Sequence, residues 1–147
     1  MDWMTNLGQG SYVLALSIAA MGSAVGTGTT GMAAVGAWRK AFLKGKGAPF
    51  ILVAFASAPL SQTIYGMILM NALINAPSSV PPMALLFTGF FGGLAIGSSA
   101  WFQGKAGAMA CEAFVDTNKG LGNYIMILGV IETVALFVMV FLMTNLK

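Results

Sequence analysis

Four long apolar segments constrain the fold more than any other feature of the sequence. They run over residues 11–38, 48–75, 82–114 and 123–146. Each exceeds the roughly 20 residues that a helix needs to cross about 30 Å of hydrocarbon. Hydrophobic residues make up 58% of the chain and charged residues 7%, a balance too apolar for a soluble domain. We therefore expect an all-α membrane protein with four transmembrane helices.

Charge, cysteine content and the N-terminus exclude several classes of protein. The net charge of +3 is small and confined to the connections, so it gives no support for a nucleic-acid partner. The single Cys111 cannot form an internal disulfide and is expected to be a small buried hydrophobe. The N-terminus, MDWMTNLGQGSY, has no basic region before its apolar segment. We therefore expect no cleaved signal peptide.

Positive charge is concentrated in two of the three connections between apolar segments. The first connection carries four cations, Arg39, Lys40, Lys44 and Lys46. Lys119 lies in the third connection, whereas the second, NAPSSVPP, has no charge. Because positive charge is retained on the cytoplasmic side, connections 39–47 and 115–122 are predicted to be cytoplasmic. Both termini are then extracytoplasmic, in a multi-pass protein of the cell membrane.

The two halves of the chain are similar enough to indicate a tandem repeat of one helical hairpin. The small-residue stretches MGSAVGTGTTGMAA and IGSSAWFQGKAGAMA occupy corresponding places in the first and third segments. PLSQTIYGM in the second segment aligns with IETVALFVM in the fourth. A Pro- and Ser-rich turn separates hairpins of residues 1–76 and 77–147. On this alignment Leu60 stands in the place of Glu132, so the two hairpins share one membrane carboxylate.

Glycine ladders mark the first and third segments. Gly22 and Gly26 have GxxxG spacing, and Gly89, Gly93 and Gly97 form a double ladder. Such ladders let helix backbones approach closely in lipid. Ladders in both repeats favour a tightly packed oligomeric ring over ordinary packing inside a monomer.

Glu132 is a lone carboxylate inside the fourth apolar segment. Its burial in lipid costs several kcal/mol unless a partner, proton or cation neutralises it, so a functional role is favoured over a structural one. Two residues of an antiparallel helix pair share a depth when they are equidistant from the turn. This rule predicts that Gln103 is level with Glu132, and that Thr27 is level with Gln62. The sequence thus predicts a polar layer of Glu132, Gln103, Gln62 and the adjacent Ser61.

The atoms of this layer suit a hard cation. Pro59 has no N–H and disturbs the preceding turn, which leaves carbonyl oxygens near residues 55–58 available. Carboxylate, amide, hydroxyl and carbonyl oxygens are the ligands that such cations prefer, and one carboxylate balances one monovalent charge. The chain has no His and one Cys, which argues against a transition-metal site. A proton would need fewer polar groups, so Na⁺ is favoured over H⁺.

The chain resembles the membrane rotor proteolipid, the K or c subunit, of prokaryotic V-type (A/V-type) rotary ATPases over essentially its full length. The resemblance rests on APLSQTIYG in the second segment, QGK in the third and IETVALFVMVFL in the fourth. These match the P-x-[ST]-Q-x-x-Y stretch, the glutamine and the glutamate of sodium-binding members. The chain departs from them at Leu60, where glycine is common. Its first segment also matches poorly the glycine-rich signature of the eukaryotic 16 kDa proteolipid.

This resemblance implies an ion site and a set of partners. Glu132 would carry Na⁺, or alternatively H⁺ only, and Tyr65 would donate a hydrogen bond to Glu132 when the site is locked. The other Na⁺ ligands would be Gln103, Gln62, Ser61 and the carbonyl of Ala58. The chain would be a non-catalytic member of a homo-oligomeric ring in lipid, with ATP chemistry on other subunits. A static membrane subunit with an essential arginine, and a central-stalk subunit at the cytoplasmic loops, would be its partners.

A small four-helix proton-coupled exporter is the alternative of another class. Such an exporter also uses one membrane glutamate, typically in its first helix and beside an aromatic-lined cavity. Glu132 instead lies in the last segment among small and aliphatic residues. A purely structural subunit would leave the polar layer unexplained.

The remaining polar and aromatic residues of the segments are assigned to the membrane interface. Lys105 is predicted to snorkel towards the interface or to pair with Glu112. Trp3, Trp38 and Tyr124 fall near the ends of segments, where their amphipathic rings are expected to act as anchors.

Overall fold

Helices make up most of the residues that the structure describes. The computed structural model describes residues 3–146, so the ends of the two predicted hairpin ranges, residues 1, 2 and 147, lie outside it. The helices are α1 (Trp3–Gln9), α2 (Ser11–Leu43), α3 (Leu52–Ser57), α4 (Ser61–Ile74), α5 (Pro82–Thr117) and α6 (Leu121–Thr144). Four helical stretches of this range are long and apolar enough to cross a membrane. The predicted fold class is confirmed, and the chain is a multi-pass membrane protein.

The helices end at different residues from those of the apolar segments. The first segment was expected to end at residue 38, but α2 continues to Leu43 before Gly45 takes a positive φ of 68°. The second helix begins at Leu52 rather than at residue 48, after a loop in which the Trp38 indole donates to the Pro49 carbonyl at 2.9 Å. Apolar length marks the hydrocarbon, whereas charged residues such as Lys40 continue a helix into water. For the same reason, α5 continues past residue 114 and ends at Thr117.

A 3₁₀ turn over Ala58–Leu60 interrupts the second membrane span between α3 and α4. Pro59 cannot donate to the carbonyl four residues earlier, so the α-helical ladder is broken at this point. The turn closes with two bonds to the Ala58 carbonyl, one from the Ser61 backbone N–H and one from the Ser61 hydroxyl at 3.1 Å. The predicted disturbance at Pro59 therefore falls directly before the polar start of α4.

Glycine allows the backbones of α2 and α5 to touch. A Cβ at Gly22 would overlap the backbone of Gly97, and a Cβ at Gly104 would overlap the backbone of Gly26. These two long helices form the centre of the bundle, with α4 and α6 packed beside them. The ladder glycines are thus used within one chain, which differs from our expectation that they serve contacts between subunits. These glycine contacts therefore do not indicate a ring.

Two apolar clusters fill the bundle, one towards each end. One cluster lies near the C-terminal ends of α2 and α5, a region that we call the basic end. This cluster contains Leu52, Phe55 and the fully buried Cys111. Leu69 and Ile96 belong to the opposite cluster. The polar layer predicted from the sequence lies between these clusters.

Asp116 ties α5 to α2 at the basic end. It accepts hydrogen bonds from Lys40 Nζ and, at 3.2 Å, from Lys44 Nζ. All three side chains are exposed, so the pairs add little to stability. Their effect is to keep the two connections at this end side by side.

Lys105 packs against aromatic rings instead of pairing with Glu112. Its Nζ lies 4.6 Å from the centroid of the Trp101 ring and 5.4 Å from that of Phe102. Among the described residues, both ion pairs involve Asp116. The predicted pair is therefore wrong. Trp101 lies about one helical turn from Lys105 and is a close neighbour, whereas Glu112 lies two turns away.

Candidate ion-binding site

Three helices bring polar side chains together in the middle of the bundle. Gln62 lies in the first turn of α4, and Gln103 and Glu132 lie near the middle of α5 and α6. Both glutamine side chains are fully buried, at 0% exposure, while Glu132 is partly exposed on the surface of the chain. A buried amide is stable only with hydrogen-bond partners.

A chain of hydrogen bonds ends on the Glu132 carboxylate. The Ser61 hydroxyl has one hydrogen, which it shares between the Ala58 carbonyl at 3.1 Å and Gln62 Oε1 at 3.2 Å. Gln62 Nε2 donates to Gln103 Oε1 at 2.8 Å. Gln103 Nε2 then donates to Glu132 Oε2 at 3.4 Å. From the other side, the Tyr65 hydroxyl donates to Glu132 Oε1 at 2.7 Å. Both carboxylate oxygens are therefore held by donors from neighbouring helices.

The same network gathers oxygen atoms of four chemical kinds. The Ala58 carbonyl accepts from the Ser61 hydroxyl, which also contacts the amide oxygen of Gln62. With the amide oxygen of Gln103 and the carboxylate of Glu132, these atoms form one connected group. All six residues predicted for the site, Tyr65 included, are joined in this network. Oxygen atoms of these kinds are the ligands that hard cations prefer.

Two contacts that hold α6 in place were missed in the sequence. The Ser99 hydroxyl donates to the Ile131 carbonyl at 2.8 Å, and Gln103 Nε2 also donates to the Leu128 carbonyl at 2.9 Å. Both fix the backbone next to Glu132. The available signal was spacing, because Ser99 and Gln103 are four residues apart and share one face of α5.

The register between α2 and α4 differs by one turn from the prediction. A Cβ at Gly66 would lie 2.6 Å from Ala19 Cβ. Ser23 follows Ala19 by four residues and Gln62 precedes Gly66 by four, so Ser23 is the residue level with Gln62. Thr27 was expected there. A Cβ at Gly26 would likewise lie 2.9 Å from Pro59 Cβ, so the structure places the centre of this helix pair closer to the N-terminus than expected.

The fold and the site together define a class: a multi-pass helical membrane protein with a polar carboxylate site buried at mid-span. Residues 86–144 match the family model that describes the C subunit of ATP synthase. This match covers most of α5 and α6, the second hairpin, and not the first. No curated protein matches the chain in sequence.

The family match supports a c-subunit proteolipid of a rotary ATPase. Members of this family are non-catalytic and form homo-oligomeric rings within ATPase complexes. The chain is accordingly a non-catalytic membrane subunit. Gln103 and Glu132, whose spacing predicted that they lie at the same depth, are both within the matched residues.

Replacing Tyr65 by Phe should accelerate the reaction of Glu132 with a hydrophobic carbodiimide by about tenfold, since a hydrogen bond to a charged group contributes about 1.5–3 kcal/mol. The change removes the donor of the 2.7 Å bond to Glu132 Oε1 and leaves that oxygen free. Labelling followed by peptide mapping measures the rate. Tyr12→Phe is the matched control, because Tyr12 packs against the same apolar cluster as Tyr65, whereas the tyrosine hydroxyl that donates to Glu132 is that of Tyr65. Equal rates for the two variants would contradict a holding role for Tyr65.

Proposed function

We propose that the protein is the ion-translocating rotor-ring subunit of a prokaryotic V-type ATPase, carrying Na⁺ on Glu132 across the membrane. Transport is coupled to ATP hydrolysis or synthesis on other subunits. The observation that carries this proposal is the hydrogen-bonded chain from Ser61 through two buried glutamines to a lone membrane carboxylate. The family match over the second hairpin supports it.

The choice of Na⁺ follows from the number of polar groups in the layer. A bare Na⁺ in the membrane needs about five or six oxygens in place of its water, together with a negative charge. The ligands proposed for Na⁺ are Glu132, Gln103, Gln62, Ser61 and the carbonyl of Ala58. A ring that carries H⁺ only would need an acid and one acceptor. The two fully buried amides would then have no role in binding the ion.

The mechanism uses the position of Glu132 at the surface of the chain. Its side chain is partly exposed while its amide partners are buried, so rotation of the ring can present each carboxylate to a static membrane subunit. An essential arginine of that subunit supplies a competing charge and releases the cation. The central stalk binds at the basic end, which we propose to be cytoplasmic, with both termini on the other side.

Leu60 sets the ratio of ions to hairpins. It aligns with Glu132 in the repeat, and half of its side chain is exposed, at 50%. Two hairpins therefore carry one ion. Each ion then receives more free energy from ATP than in a ring with one carboxylate per hairpin, which favours pumping against a steep gradient.

Sodium ions should protect Glu132 from a hydrophobic carbodiimide, because the reagent needs the protonated acid. At a Na⁺ concentration about ten times Kd, competition should slow labelling about tenfold at fixed pH. Lowering the pH should accelerate labelling, since protonation competes with the cation. The rate is measured by mass spectrometry of the Glu132 peptide. A rate indifferent to Na⁺ would overturn the sodium assignment and leave a ring that carries H⁺.

Amide variants test whether the layer binds the ion. Gln62→Ala and Gln103→Ala should each raise the Na⁺ concentration needed for half-protection by at least about tenfold, since each removes a ligand to a charged group. Asn71→Ala is the matched control, because Asn71 is an exposed amide of α4 outside the layer. Unchanged protection in both glutamine variants would exclude them as ligands.

A further inference from the structure

Two hydroxyl groups of α2 are buried without a hydrogen-bond partner among the residues that the structure describes. They are Ser23 Oγ and Thr27 Oγ1, and the Ser23 side chain is only 2% exposed. Thr29 and Thr30 on the same helix behave differently: Thr29 donates to the Val25 carbonyl four residues earlier, and Thr30 donates to the Gly104 carbonyl of α5, each at 2.7 Å. A buried hydroxyl without a partner destabilises the folded protein. The two hydroxyls therefore point to a ligand.

The unpartnered hydroxyls face the polar layer from its α2 side. Ser23 is level with Gln62 in the register given above. A Cβ at Gly26 would lie 2.9 Å from Pro59 Cβ, so Gly26 and Pro59 are level with each other. Thr27 follows Gly26 and Ala58 precedes Pro59, so Thr27 is level with Ala58 in this antiparallel pair. Both hydroxyls thus lie behind the proposed ligands, on the side away from α6. Neither belongs to the hydrogen-bonded network that ends on Glu132.

One N–H of the Gln62 side-chain amide is not used in the network that ends on Glu132. Its Nε2 carries two hydrogens. Within residues 3–146, this nitrogen donates one hydrogen bond, to Gln103 Oε1. Ser23 is the polar residue level with Gln62 on α2, but the two side chains are not within hydrogen-bond distance of each other. Buried polar groups that lack a direct partner are commonly joined by a buried water molecule.

We propose that Ser23 and Thr27 hold a buried water molecule that accepts a hydrogen bond from Gln62 Nε2. Three polar partners, two hydroxyls and an amide, are the usual number for a buried water. The water would connect α2 to the cation layer. Ser23 and Thr27 would then be positioning residues that act through Gln62.

The water has a consequence for ion binding, which rests on the proposed function. When the amide oxygens of Gln62 and Gln103 turn towards a cation, the bond between the two amides is weakened. The water remains as an acceptor for the Gln62 N–H and keeps the Gln62 oxygen directed at the cation. Loss of the water should therefore weaken cation binding without removing a ligand.

A structure of the intact complex at about 2 Å resolution tests the water directly. We expect a density peak about 2.6–3.2 Å from both hydroxyl oxygens and from Gln62 Nε2. The proposal is overturned if no peak is present and both hydroxyls donate to carbonyls of α2. This result does not depend on which ion the protein carries.

Variants test the positioning role. Ser23→Ala and Thr27→Val should each raise the Na⁺ concentration for half-protection of Glu132 about fivefold, the value of one hydrogen bond. The double variant should differ little from either single one, because all three lose the same water. Thr29→Val, whose hydroxyl bonds to its own helix, should leave protection unchanged. Unchanged protection in both single variants would overturn the positioning role. If Na⁺ failed to protect even the unaltered protein, the sodium assignment would fall and the density alone would decide the water site.

Discussion

Glu132→Gln should reduce ion transport to the leak of protein-free vesicles while leaving the ring assembled. Gln keeps the shape of the side chain and can still accept the hydrogen bond from Tyr65. It lacks the negative charge that a buried cation requires. Transport is measured in vesicles that contain the reconstituted complex. Native mass spectrometry of the purified protein checks that the variant forms the same closed ring.

Glu112→Gln is the matched control for this prediction. It makes the same chemical change at an exposed residue near the basic end of α5, and transport should remain at the level of the unaltered protein. Transport at that level by Glu132→Gln would exclude the rotor assignment. A dimer in place of a large ring would instead favour the four-helix exporter.

Gly104→Ala should destabilise the protein strongly, with a fall in Tm of about 10 °C. The added Cβ would overlap the backbone of Gly26, so α2 and α5 must move apart. Overpacking of this kind costs about 1–3 kcal/mol even when side chains can yield, and each kcal/mol shifts Tm by several degrees. Thermal unfolding of the purified protein in detergent, followed by tryptophan fluorescence, measures the effect.

Gly122→Ala adds the same methyl group where no atom lies within 4 Å. It lies in the first turn of α6, where Ala is the better helix former, so Tm should be unchanged or slightly raised. Equal Tm values for the two variants would show that the backbones of α2 and α5 do not touch as described.

The parts of the structure that follow from periodic and energetic rules could be predicted from the sequence. The four spans follow from apolar length alone. The level of Gln103 with Glu132 follows from the short DTNKG turn, which leaves little freedom in the register of α5 and α6. The disturbance at Pro59 follows from its missing N–H.

Other features depend on neighbours that a sequence does not display. Helix ends such as Leu43 lie beyond the apolar segment. The register of α2 against α4 depends on how their side chains pack, so Ser23 lies level with Gln62 where Thr27 was expected. The stacking of Lys105 on Trp101 competes with an ion pair of similar plausibility, and only the structure shows which contact forms. The sequence does not distinguish Ser99 from the other small residues of its stretch, because the carbonyl that accepts its hydrogen bond, that of Ile131, lies on another helix.

The direct contact between the backbones of α2 and α5 has a mechanical consequence. Main chains touch at Gly22, Gly26, Gly97 and Gly104. Side-chain contacts yield under load because χ angles can change, whereas touching main chains have no such freedom. The α2–α5 pair should behave as a stiff strut under torque. Under the proposed rotor function, elastic energy would then be stored outside this strut rather than within it.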